Sequence, residues 1–139
     1  MDDKDWPVIK EGDKDPFDTG AVRSVQHLVN AHGAAITVDG VFGPETAQAV
    51  RDFQGSHGLG VDGIVGNETW PALIVVVHLG SRGDGVRAVQ CEFDGLVVDG
   101  IFGPQTDKAA RSFQNVFTPP ADGIVGPETW FALVSWKSE

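Results

Sequence analysis

Cysteine is almost missing from this chain of 139 residues, Cys91 standing alone. A single thiol forms neither an internal disulfide nor a thiolate zinc cluster, and it says nothing about redox compartment. Basic residues are scarce too. Ten Lys and Arg face twenty Asp and Glu, and a formal charge of −10 repels the phosphates that dominate nucleic-acid affinity. Neither DNA nor RNA is an expected partner. No apolar run approaches the roughly 18 residues of a membrane span, so no membrane is expected either. The opening MDDKDWPVIKEGDKD is acidic where a secretory leader is basic and then apolar, so no export signal is expected there and a cytoplasmic location stays open. What remains, 41% hydrophobic and 22% charged residues, is the composition of an ordinary globular protein.

The chain is rich in repetition. VDGVFGPETA starts at Val38, VDGIVGNETW at Val61, VDGIFGPQTD at Val98 and ADGIVGPETW at Ala121. Asp39, Phe53, Asp62 and Trp70 recur 60 positions later as Asp99, Phe113, Asp122 and Trp130. Upstream the offset grows, to 64 between Val22 and Val86 and to 68 between Gly12 and Gly80, which places two short insertions in the first repeat, in KDPFDTG and NAHGAAIT. Such self-similarity marks a tandem duplication. We expect two domains, residues 1–76 and 77–139, joined without a Gly/Ser/Pro-rich linker through Ile74, Val75, Val76 and Val77. Units of this size make marginal cores, so the two are expected to dock through a buried junction.

Each repeat reads as three short helices, which makes the expected fold all-α. Val22, Val25 and Val29 lie at i, i+3, i+7, and Val86, Val89 and Phe93 repeat that spacing on the second copy. PETAQAVRDFQ brings Thr46, Ala49, Val50 and Phe53 to one face, as PQTDKAARSFQ does Thr106, Ala109, Ala110 and Phe113. The third helix is short and presents Trp70 with Leu73, or Trp130 with Leu133. The phrase before each helix is turn chemistry. Asp39-Gly40, Asp62-Gly63, Asp99-Gly100 and Asp122-Gly123 combine a carboxylate that bonds backbone two residues on with a glycine tolerant of positive φ. Proline then suits the first helical position and a following acid suits the positive helix end. Asn67 replaces proline in one copy, where we expect it to cap the helix. Pro71 is expected to shorten or bend that helix.

The lead-in WPVIKEG, then AVRSVQHLVNAHG, then VDGVFGPETAQAVRDFQGSHGLGVDGIVGNETWPAL closely resembles a peptidoglycan-binding domain of the kind appended to bacterial and phage cell-wall hydrolases. LGSRGDGVRAVQ, VDGIFGPQTDKAARSFQ and ADGIVGPETWFAL resemble it again, so the likeness covers nearly the whole chain. It implies compact three-helix domains, a non-catalytic role in holding proteins on peptidoglycan, and a location in the cell wall or outside the cell. The second copy departs from the first: QCEFDGLVVDG is four residues shorter than QHLVNAHGAAITVDG, and Glu92 stands in place of Leu28.

No catalytic residue is expected, because the acids Asp39, Asp62, Asp99 and Asp122 are committed to turns and glycan hydrolysis wants a flanking carboxylate pair. No metal or cofactor is expected: His27, His32, His57 and His78 lack ligand spacing and read as surface or loop residues. Arg51 and Gln54, with Arg111 and Gln114 in the second repeat, carry two readings. Either the glutamines hydrogen-bond the Asp-Gly turns, or these residues wall a groove for the amides and carboxylates of a stem peptide. Phe42 and Phe102 are either core residues or platforms for sugar rings. Phe117 is either a repeat-specific contact or a loop anchor replacing Leu59, and Phe131 and Trp136 also lie outside the repeat pattern. Cys91 is expected to be accessible. The partner is peptidoglycan, glycan or stem peptide; the alternative is a partner protein bound by a module that kept the fold and lost the polysaccharide.

Overall fold

The computed structural model describes residues 5–16 and 20–135, so Trp136 lies outside the described residues. Six helices carry the fold: α1 (Ala21–Ala31), α2 (Pro44–Ser56), α3 (Thr69–Leu73), α4 (Asp84–Gln90), α5 (Pro104–Phe117) and α6 (Pro127–Ser135). Among the described residues, β-pairing is confined to four isolated antiparallel bridges. The protein is all-α, with three helices to each repeat.

The bridges obey the duplication. Ile9 pairs with Val65 and Lys14 with Val41; Val77 pairs with Val125 and Arg82 with Ile101. In each repeat an extended lead-in is thus laid across both turns and closes the core. Its backbone also satisfies the buried indole, Trp70 Nε1 donating to Pro7 O at 2.8 Å and Trp130 Nε1 to Val75 O at 2.7 Å. The Ile74–Val77 run is therefore the lead-in of the second repeat and only partly buried. Val77 points inward while Val76 is exposed, the alternation expected of extended chain.

Helices α2, α5 and α6 begin on proline, whose missing N–H would have been unsatisfied there anyway. In α3, Asn67 does not cap the helix. Its Oδ1 instead accepts the Trp6 N–H at 2.7 Å and its Nδ2 donates to Asp5 Oδ1 at 2.9 Å, which ties down the lead-in. Pro71 offers no N–H to close a turn onto residue 67, and α3 has five residues where α6 has nine. Trp6 lies over Trp70 with ring centroids 5.7 Å apart and meets Phe131 edge-on at 5.1 Å, so this aromatic group joins the two repeats. Phe93 falls beyond the end of α4 and is half-buried against the core.

The main junction is helical. Helix α1 buries Val22, Val25 and Val29, as its periodicity predicts, and also Ser24, His27 and Leu28, because α4 packs against it. Ser24 Oγ donates to Ala88 O at 3.0 Å; Ala88 is the residue at Ser24's own position in the second repeat. Two equivalent helices therefore cross at equivalent residues, both small enough for close approach. Cys91 Sγ, 3.4 Å from Ser24 Oγ, and the Glu92 carboxylate, hydrogen-bonded to the same hydroxyl, complete the seam. Cys91 is thus buried rather than accessible.

His27 is likewise buried, not on a surface or loop, and its Nδ1 has no hydrogen-bond partner. Burial holds its imidazole below the ordinary 6.5; the Asp84 carboxylate opposes this, and Arg87 and Arg23 add to it. A depressed folded value means that the unfolded chain binds the proton first. Stability is then full above 6.5 and falls as pH drops through the lower folded value. Urea midpoints measured in steps from about pH 7.5 to 5 should decline in the parent and decline less in His27→Leu.

Candidate functional site

The four repeated phrases form four copies of one buried cluster, each organised by a glutamine. Gln26 Nε2 lies 3.0–3.1 Å from Asp39 Oδ1, Val41 O and Thr46 Oγ1, three acceptors that share its two N–H groups, and its Oε1 accepts from Asp39 N at 3.1 Å and Gly40 N at 2.9 Å. Gln54 makes the same five bonds with Asp62, Gly63, Ile64 and Thr69. Gln90 does so with Asp99, Gly100, Ile101 and Thr106. Gln114 makes four of the five, to Asp122 Oδ1, Ile124 O, Thr129 Oγ1 and Gly123 N. A primary amide suits this task because it offers two donors and two acceptor lone pairs at one point. Each aspartate also accepts the N–H two residues on, at 2.9–3.0 Å, so its carboxylate braces its own turn.

An arginine lies across each turn, three residues before the glutamine. The glycine is required on two grounds. Gly40 has φ +79°, and a Cβ there would meet the Arg23 guanidinium at 2.7 Å; Gly123 has φ +76° and would meet Arg111 Nη2 at 2.8 Å. At Asp39 and Asp99 the surrounding donors lower the carboxylate's proton affinity. The Val41 N–H first and the Gln26 amide second hold Asp39 below the ordinary 3.8, as Ile101 N–H and Gln90 do for Asp99.

The sequence-derived candidates can now be placed. Gln54 and Gln114 are 1% exposed and fully engaged with turns, and Phe42 and Phe102 are 1% exposed in the core, so none of the four presents a surface to a ligand. Arg51 and Arg111 lie over the turns of Gly63 and Gly123. Arg51 Nη2 donates to Gln48 Oε1, whereas Arg111 pairs with Asp107 at 3.1 Å and donates to Ala121 O. Phe117 ends α5 and is 47% exposed, tilted against Phe113 at 4.6 Å. It occupies the position of His57, which stacks on Phe53 at 4.1 Å, and not that of Leu59. Sequence reasoning passed over Gln26 and Gln90 as hydrogen-bonding groups. Their signal was the fourfold R-x-x-Q of Arg23/Gln26, Arg51/Gln54, Arg87/Gln90 and Arg111/Gln114.

With the turns and cores so occupied, ligand-sized space lies elsewhere. In the first repeat a cleft of about 590 Å³ runs between the loop after α1 and the outer face of α2. Val29, Ala49 and Phe53 form its floor, and Glu45, Gln48 and Asp52 form its rim. In the second repeat the corresponding loop is four residues shorter, and the cleft of about 450 Å³ found there sits at the start of α5, against Leu96, Val97 and Ile101. No helix among the described residues is long and apolar enough to cross a membrane.

Residues 18–73 and 82–133 each match a family model described as "Putative peptidoglycan binding domain". The chain is 42% identical over 110 residues to N-acetylmuramoyl-L-alanine amidase CwlM of Mycobacterium tuberculosis, which covers 67% of this chain and 27% of that protein. It is 34% identical over 96 residues to the zinc D-Ala-D-Ala carboxypeptidase of Streptomyces albus G, covering 64% and 36% respectively. A solved peptidoglycan-binding protein from Clostridioides difficile, in complex with glutamine hydroxamate, is 34% identical over 48% of this chain and 40% of its own, with a TM-score of 0.44. The chain spans about a quarter to a half of the length of the curated relatives it matches. With two matches that together cover most of its residues, the chain belongs to the peptidoglycan-binding domain family, in tandem.

Proposed function

We propose that this chain is a non-catalytic cell-wall-binding protein, two modules holding peptidoglycan without cleaving it. The observation that carries the reading is the double family match, on residues 18–73 and 82–133. The architecture supports it. Each module holds its Asp-Gly turns with buried glutamines, which leaves rigid surfaces, and the carboxylates of Asp39 and Asp99 are braced by backbone and amide donors within those turns. Two modules on one polymer raise avidity without new contacts. The ligand places the protein in the cell wall or outside the cell.

A net charge of −10 gives no bulk attraction to an anionic wall, so binding rests on short-range contacts and tolerates salt. The protein should co-sediment with purified insoluble peptidoglycan from low salt to about 0.5 M. Absence from the pellet at every salt overturns the reading. A stoichiometric protein captured under those conditions would point to an interaction module instead.

A further inference from the structure

We propose that the cleft of the first repeat is a peptide subsite for a free primary ammonium, that of the diamino acid in a peptidoglycan stem peptide, and that the second repeat lacks it. The inference rests on the wall-binding reading and adds to it the ligand class and a division of labour between the modules.

The cleft is preformed. Asn30 clamps its outer wall, its Oδ1 accepting the Ile36 N–H at 2.9 Å and its Nδ2 donating to Ile36 O at 3.1 Å. His32 pins the start of that wall, with Nε2 2.9 Å from Leu73 O and its ring 4.8 Å from that of Phe53. Glu45 Oε1 accepts the Thr37 N–H at 3.3 Å and so fastens the far end of the wall to α2. Little ordering is left for a ligand to impose, which favours affinity. The volume, about 590 Å³, suits a peptide of a few residues.

The chemistry of the rim selects the ligand. Glu45 and Asp52 stand seven residues apart on one face of α2, about 10 Å along the axis, with Gln48 between them. Gln48 Nε2 donates to Asp52 Oδ1 at 2.9 Å and holds that carboxylate over the cleft. An apolar floor with two carboxylates and a side-chain amide above it fits an alkyl chain ending in an ammonium, flanked by peptide amides. In the second repeat the equivalent positions are Gln105, Lys108 and Ser112, no acid and one cation, and the wall is four residues shorter. The same ligand would meet a like charge there and a shorter loop.

The test uses the full chain and two soluble probes, N-acetyl-L-Ala-D-isoglutaminyl-L-Lys-D-Ala amide and its analogue acetylated on the lysine side chain. Amide NMR titration should move Gly33, Ala35, Gln48 and Asp52 with the first probe while second-repeat amides stay still. The acetylated probe, and separately the double variant Glu45→Gln, Asp52→Asn, should each bind up to about fivefold more weakly, the worth of the one exposed ion pair a single ammonium makes with either carboxylate. Unchanged urea midpoints show that the variant is folded. Equal response to both probes, shifts in the second repeat, or no shifts at all overturn the inference. If the protein nonetheless pellets with insoluble peptidoglycan, the wall-binding reading survives and only the subsite is lost; if neither occurs, both fall.

Discussion

Replacing Gln54 by leucine is expected to destabilise the protein by about 3 kcal/mol, at nearly constant side-chain volume. Leucine fills the space but leaves the Gly63 N–H and the Ile64 carbonyl, both held by that amide at 3.0 Å, without their partner. Each buried polar group abandoned in this way costs about 1–3 kcal/mol, set against the 5–15 kcal/mol that a domain typically has. The turn before α3 then loosens, and with it the seat of Trp70. Urea titration checks this, with exposed Ser112→Ala as a control that should stay within about 0.5 kcal/mol. Gln54→Glu separates chemistry from shape. At neutral pH its carboxylate faces Asp62 Oδ1, an acceptor, where the amide offered a donor, so it should be worse than leucine and should recover in part as the pH falls towards about 4. A leucine variant within 1 kcal/mol of the parent would mean that the glutamine does not hold its turn.

The second large effect is expected at the seam between the repeats. Ser24 is fully buried where α1 crosses α4, and its hydroxyl serves Ala88 O and the Glu92 carboxylate. Ser24→Phe forces an aromatic ring into that crossing and leaves Glu92 without the hydroxyl. Overpacking costs about 1–3 kcal/mol, and a buried polar group that loses a hydrogen-bond partner adds about 1–3 kcal/mol. We expect a loss of about 3 kcal/mol or more and separate unfolding of the repeats, seen as non-coincident transitions by tryptophan fluorescence and circular dichroism. Ser24→Ala keeps the close approach and removes only the hydroxyl, so its cost should be about 1–3 kcal/mol with transitions still coincident. A phenylalanine variant as stable and cooperative as the parent would show that α1 and α4 do not pack in solution.

These two sites mark the boundary of what the sequence could disclose. Helix starts were readable at Pro44, Pro104 and Pro127, because proline and the preceding glycine act locally, and the buried indoles were readable from spacing. Gln54 and Gln114 were ambiguous, since an amide beside a core phenylalanine suits a groove as well as a turn. The turn eight to ten residues on settles that, through five hydrogen bonds at Gln54 and four at Gln114, and folding must bring it back before they exist. Less readable still was the burial of Ser24, His27 and Cys91. A helical period of 3.6 reports one apolar stripe, whereas α1 packs two sides, and its second neighbour is 64 positions away. The cleft of the first repeat was hidden for a similar reason. In the sequence Glu45 reads only as an acid at a helix start and Asp52 carries no signal; the cleft exists because the loop after α1 stands opposite both.

The meeting of residue 24 with its own counterpart limits how far such a chain can grow. A contact in which each side presents the same patch is used up once made, unlike a head-to-tail contact that leaves a fresh surface for the next unit. A third module fused to this protein would find neither α1 nor α4 free, and would hang as an independent bead. Longer arrays built on this contact would therefore count in pairs, each with a rigid spacing between its two modules and a loose one to the next.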